Sequence, residues 1–151
     1  MKGLSEIAQE LLAVLKAGGE EASRAKRLLG CLGEQLLLEE LSHRGVGAKL
    51  TGGNRKAVDL ITAEGKRIQV KTSLKGTVVT RFYQKDFSKD RPDVWVLIKV
   101  SDPVEYYVLS HEEIGTLQLA RNRGRKDPRG VDNLAFGELS QFRDAWSKVR
   151  P

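Results

Sequence analysis

Residues Val94 to Val100 read Val-Trp-Val-Leu-Ile-Lys-Val, an extended run that is apolar at both the odd and the even positions. Alternate residues of a strand point to opposite faces, so a strand apolar on both must be covered on both. That excludes a sheet with one solvated face and requires a sheet packed between two layers. The layers are legible upstream. Leu4, Ile7, Ala8, Leu11, Leu12 and Leu15 recur at three- and four-residue steps, which predicts an amphipathic helix from Leu4 to Lys16 ended by Gly18-Gly19. A longer helix is predicted from about Glu21 to His43 on Ala22, Ala25, Leu28, Leu29, Leu32, Leu36 and Leu41, stopped at Gly45.

Three extended stretches follow, Ala48 to Leu50, Ala57 to Thr62 and Lys66 to Thr72, separated by glycine turns and read as a meander. Thr77 to Phe82 is a further candidate strand, and Asp102-Pro103 turns the chain from Val94–Val100 into Val104 to Leu109. Ser110 and Glu113 have the spacing of a capping box and open a helix from His111 to about Leu119. Arg121 to Gly130 holds Arg121, Arg123, Arg125, Lys126 and Arg129 against the single acid Asp127, which reads as a basic loop. A last helix is expected from about Gly137 to Val149 on Leu139, Phe142, Trp146 and Val149. With 151 residues the expectation is one α/β domain, residues 1–20 forming a helical extension, 21–110 the core, and 111–151 C-terminal helices around the basic loop at 121–130.

Charge and composition narrow the function. Lys and Arg total 26 against 20 Asp and Glu, a net charge of +6 that favours a polyanionic partner. The single Cys31, with only His43 and His111 beside it, leaves no disulfide framework and no thiolate–imidazole metal cluster. Apolar runs are too short for a bilayer, and acidic residues interrupt the N-terminal stretch, so a cytoplasmic protein away from membranes is expected.

The chemistry concentrates between residues 58 and 72. In the strand that ends this stretch, Gln69 and Lys71 share one face about 7 Å apart, while Ile68 and Val70 face the other way. Pairing decides whether Asp59 joins them. A two-residue turn at Glu64-Gly65 sets Asp59 opposite Val70, on the wrong face; a three-residue loop Ala63-Glu64-Gly65 sets it opposite Gln69. Such loops take a left-handed residue at their third position, where Gly65 stands, so the gathering register is the favoured one. Oxygen ligands beside a lysine suit a hard cation such as Mg2+. One carboxylate is too few, and the long helix offers Glu34, flanked by Gly30 and Gly33, whose missing side chains would let the helix approach the sheet. Glu39 and Glu40 are better read as surface charges. Cys31 is expected to be a small buried side chain, His43 and His111 to be helix-end residues, and Trp95 and Trp146 to be core.

Glu34 on a helix in Gly30-Cys31-Leu32-Gly33-Glu34-Gln35-Leu36-Leu37, then Asp59, then Gln69-Val70-Lys71, resembles the PD-(D/E)XK nuclease superfamily in its QXK variant. Within it the likeness is closest to archaeal-type Holliday junction resolvases, which have a Gly and Glu on the first core helix, a Gly turn, a basic stretch, an Asp and a strand ending in E-V-K-S. This chain has Arg44-Gly45, Gly52-Gly53-Asn54-Arg55-Lys56, Asp59 and Gln69-Val70-Lys71-Thr72-Ser73, a match over roughly Gly30 to Val100. The resemblance implies a restriction-endonuclease-like central mixed β-sheet flanked by helices. It implies Glu34, Asp59, Gln69 and Lys71 as catalytic residues, with Glu34, Asp59, Gln69 and the backbone carbonyl of Val70 around Mg2+, or Mn2+ in its place. The chain departs from the family at Gln69, where an acid is commoner, and at Val58, where a Pro is usual; an amide brings no negative charge, so weaker metal binding is expected. The expected activity is Mg2+-dependent cleavage of four-way junctions or other branched DNA by a homodimer, since one site per chain must act on two strands. Leu4, Ile7, Leu11 and Leu15 are a candidate dimer surface, packing within the same subunit being the equal alternative. Arg55, Lys56, Lys75 and Arg81 are candidate DNA contacts, joined by Arg121, Arg123, Arg125 and Lys126 of the basic loop. Two other readings stay open at this point: a sequence-specific homing or restriction-type endonuclease, and a non-catalytic nucleic-acid-binding module on the same fold.

Overall fold

A computed structural model describes residues 3–52, 57–81, 90–121 and 131–151. Two helices open the chain, α1 (Leu4–Ala17) and α2 (Gly19–His43), hinged at Gly18 with φ 77°, a left-handed value that glycine adopts without strain. Then come β1 (Ala48–Leu50), β2 (Leu60–Thr62), β3 (Arg67–Ser73), β4 (Thr77–Arg81), β5 (Val94–Lys99), β6 (Glu105–Ser110), α3 (His111–Arg121) and β7 (Val131–Ala135).

Five strands form one sheet in the order β1-β2-β3-β5-β6, all neighbours antiparallel except β3 and β5. The fold is thus a mixed α/β sheet flanked by helices. The parallel pair starts at a clamp: Asp93 N–H donates to Arg67 O at 2.8 Å, and Arg67 returns hydrogen bonds to the Asp93 carboxylate from its backbone N, Nε and Nη2 at 2.9, 3.1 and 3.0 Å. The double-sided strand is covered as its sequence requires. Val94, Val96 and Ile98 pack with Ile68, Val70, Leu37 and Leu41 under α2. Trp95 and Leu97 pack with Leu109, Ile114 of α3, Leu134 and Phe136 on the other side. The capping box forms, Ser110 N–H donating to Glu113 Oε1 at 2.8 Å and Glu113 N–H to Ser110 Oγ at 3.1 Å.

Two expectations are corrected at the C-terminal end. Val131–Ala135 is a strand, paired antiparallel with β4 in a separate two-stranded sheet, so β4 does not extend the central sheet. The helix expected over Gly137–Val149 is instead three short 3-10 turns, Phe136–Glu138, Ser140–Phe142 and Trp146–Val149. The chain here follows the open edge of β6: Arg143 bridges to Tyr107, and Asp144, at φ 54°, donates its N–H to Tyr106 O at 2.9 Å. A continuous helix would use those N–H groups internally. Leu139, Phe142, Trp146 and Val149 are nevertheless all buried, because turns of about three residues present the same spacing to the core. Among the described residues no helix is long and apolar enough to cross a membrane.

Candidate metal-binding cleft

The β2–β3 hairpin sets the geometry. Thr62 N–H donates to Lys66 O at 2.9 Å, Gly65 N–H donates to Thr62 O at 2.9 Å, and Gly65 has φ 89°. Leu60 therefore faces Ile68 and Ile61 faces Arg67, the register of the three-residue loop. The paired segment stops at Leu60. Asp59 does not go on to pair with Gln69 as a ladder residue. Its N–H donates to Ile68 O at 2.8 Å, and its Oδ2 accepts the N–H of Val70 at 2.8 Å, so the carboxylate lies along the edge of β3 that β2 has left. Thr51 braces this position from the far side: its Oγ1 donates to Val58 O at 2.7 Å and its N–H to Asp59 O at 3.0 Å.

Glu34 reaches the same edge from α2. A Cβ added at Gly33 would overlap Thr72 Oγ1 and lie 2.9 Å from Thr72 Cβ, so this glycine is what lets the helix sit on β3. Gly30 does not share that task, since a Cβ there meets nothing within 4 Å. Thr72 alternates with Val70 and Ile68, so α2 covers the face opposite to Gln69 and Lys71. The predicted residues thus meet around a strand edge rather than on one face. Glu34, Asp59, Gln69, Val70 and Lys71 line one cleft of about 810 Å³, and Lys75 lines it too.

The electrostatics are those of two partly buried, neighbouring carboxylates. Burial pushes the Glu34 carboxyl above its ordinary range, and the neighbouring Asp59 charge pushes it further. Asp59 is also raised by burial, against the opposing pull of the Val70 N–H and the Lys71 ammonium. Gln69 is only 6% exposed and lines the cleft. Two neighbouring carboxylates raised by burial, with the amide of Gln69 in the same cleft, fit a divalent cation with oxygen ligands. Among the described residues no three of His, Cys, Asp and Glu come together, so the candidate acidic ligands are Glu34 and Asp59, a set that suits a hard cation keeping several waters.

Arg55, Lys56, Arg123, Arg125 and Lys126 are outside the described residues, as are the side chains of Arg81 at the end of β4 and Arg121 at the end of α3. Cys31, expected to be buried, is exposed, because it falls on the outer face of α2. Trp95 and Trp146 are core, and His111 is buried with Nδ1 accepting from Trp95 Nε1 at 3.2 Å. Glu39 is exposed and Glu40 pairs with Arg44 at 2.9 Å. Sequence reading missed Lys26, which also lines the cleft; its place four and eight residues before Gly30 and Glu34 was the available signal.

No protein-family model and no curated protein matches the chain. Among solved structures, a bacterial homing endonuclease, I-Ssp6803I, is similar with a TM-score of 0.49 and 18% sequence identity, over 80% of this chain and 90% of that one.

Proposed function

We propose that the protein is a Mg2+-dependent DNA endonuclease that hydrolyses phosphodiesters. The observation that carries this reading is the meeting of Glu34, Asp59, Gln69 and Lys71, from three separate elements, in one cleft with two carboxylates above their ordinary pKa range. Glu34, Asp59 and the Gln69 amide oxygen would hold the cation, with the Val70 carbonyl as a fourth ligand; Mn2+ would serve in its place. The bound cation would acidify a water and offset charge on the phosphate. Lys71 would hold the attacking water by hydrogen bonding and stabilise its deprotonated form. The Val70 N–H fixes Asp59 at the edge of β3. The net charge of +6 draws a polyanion toward the molecule.

For the substrate we favour branched DNA, as the resolvase resemblance implies, and a homodimer, since one site per chain leaves the second strand uncut. Labelled four-way junction and linear duplex, each with Mg2+ or with chelator, test this. Symmetric nicking of the junction in Mg2+ alone, by a species of two chains, is the expected result. Cutting of the linear duplex at one fixed sequence would favour a homing or restriction-type enzyme. Tight binding with no cutting of either would leave a binding module.

A further inference from the structure

Lys26, Gly30 and Glu34 stand four residues apart on α2, share one face of the helix, and all line the cleft. Gly30 is the residue in need of explanation. Glycine is the poorest helix former after proline, and here neither packing nor conformation demands it: a Cβ would meet nothing within 4 Å, and its φ is not left-handed. Gly33, three residues on, shows what a packing glycine looks like, because a Cβ there collides with Thr72. What Gly30 does provide is open space on the cleft wall beside the two carboxylates.

Two cations border that space. Lys26 comes from α2, and Lys75 from the turn after β3, where its backbone N–H donates to Ser73 Oγ at 3.1 Å and Ser73 Oγ donates to Thr77 O at 2.6 Å. Neither ammonium has an ion-pair partner among the described residues. Leu12 and Leu15 of α1 add an apolar wall to the same cleft. Ammonium groups without an ion-pair partner are what a phosphate backbone is held by.

We propose that one nucleic-acid strand crosses α2 at Gly30, its backbone occupying the space a side chain would fill, with Lys26 and Lys75 on phosphates flanking the one presented to Glu34, Asp59 and Lys71. This rests on the nuclease reading of the cleft and specifies how the substrate lies in it. The test is binding of a fluorescent linear duplex in EDTA, where no cutting occurs, across a salt series. Gly30→Leu is expected to melt no lower than the wild type yet bind at least tenfold more weakly, with Gly30→Ala weakened to a smaller extent between the two. Lys26→Ala and Lys75→Ala should each flatten the slope of log affinity against log salt by about 0.9, the loss of one phosphate contact. Wild-type affinity in Gly30→Leu, wild-type slopes in both lysine variants, or a wild type that binds no DNA overturns the proposal. The nuclease reading fails separately: if the wild type never cuts in Mg2+ but these binding effects appear, the strand path stands without it. If the wild type cuts and Gly30→Leu binds normally, the path alone falls.

Discussion

Asp59 is held at its backbone N–H, its carbonyl and its Oδ2, by Ile68, Thr51 and Val70 respectively, and this fixes a charge where burial opposes it. The sign of the consequence follows from linkage. Because the folded-state pKa lies above the ordinary 3.8, the folded protein binds this proton more tightly than the unfolded chain, and stability falls as pH rises through the interval between the two values. Asp59→Asn keeps an oxygen for the Val70 N–H and removes the charge. It is therefore expected to melt at or above the wild type at pH 7, with the difference vanishing below about pH 3.8, while DNA cleavage in Mg2+ drops at least about a hundredfold. Thermal melts across pH and single-turnover cleavage read the two effects separately. The residue types were legible: Glu34, Asp59, Gln69 and Lys71 stand out by chemistry and order, and the parity of the hairpin loop tied Asp59 to Gln69 and Lys71. That Asp59 would leave the ladder and cap Val70 was not legible, because a strand's end is decided by competition between side-chain and backbone acceptors for one N–H.

At the scale of elements, α2 and β3 form the joint on which the site depends. Gly33→Ala is expected to lower stability by about 1–2 kcal/mol, an overpacking penalty that exceeds the roughly 1 kcal/mol gained in helix propensity. It should also slow cleavage, since a helix lifted off Thr72 carries Glu34 away from Asp59. Gly30→Ala makes no such collision and should stabilise the fold by up to about 1 kcal/mol. Denaturant melts of both variants check the ordering. The β3–β5 pair depends on the Arg67–Asp93 clamp, where hydrogen bonding from Arg67 holds the Asp93 carboxyl below its ordinary 3.8. A lowered acid contributes stability that is complete above its unfolded value and is lost as pH falls through the folded one. Asp93→Asn should thus cost about 1 kcal/mol at pH 7, the modest size reflecting a pair about one-third exposed, and the deficit should close as pH falls from 3.8 through the lower folded-state value. Both N-terminal helices, the meander and the capping box could be read from periodicity and turn chemistry, which are local. Strand β7 could not: Val131–Ala135 is defined by pairing with β4, fifty or more residues back, and nothing within five residues encodes that. The C-terminal 3-10 turns were missed for a related reason, since burial every three or four residues is shared by both kinds of helix and the edge of β6 chose between them.

Over the whole molecule, one strand apolar on both sides dictates the layered plan. α2 closes one side of the sheet, and α3 with the β4–β7 ribbon closes the other. The edge that β2 abandons on β3 is left for chemistry. Polar groups gather at that edge because there a backbone N–H and a buried amide face a cleft rather than another strand. The proposed function requires this edge to hold a divalent cation. Titration of Mn2+ into the wild type and into Asp59→Asn, followed by calorimetry, tests it most directly. Saturable binding by the wild type, weakened at least tenfold in the variant, is the predicted result; equal affinity in the two proteins, or no binding by the wild type, would contradict it.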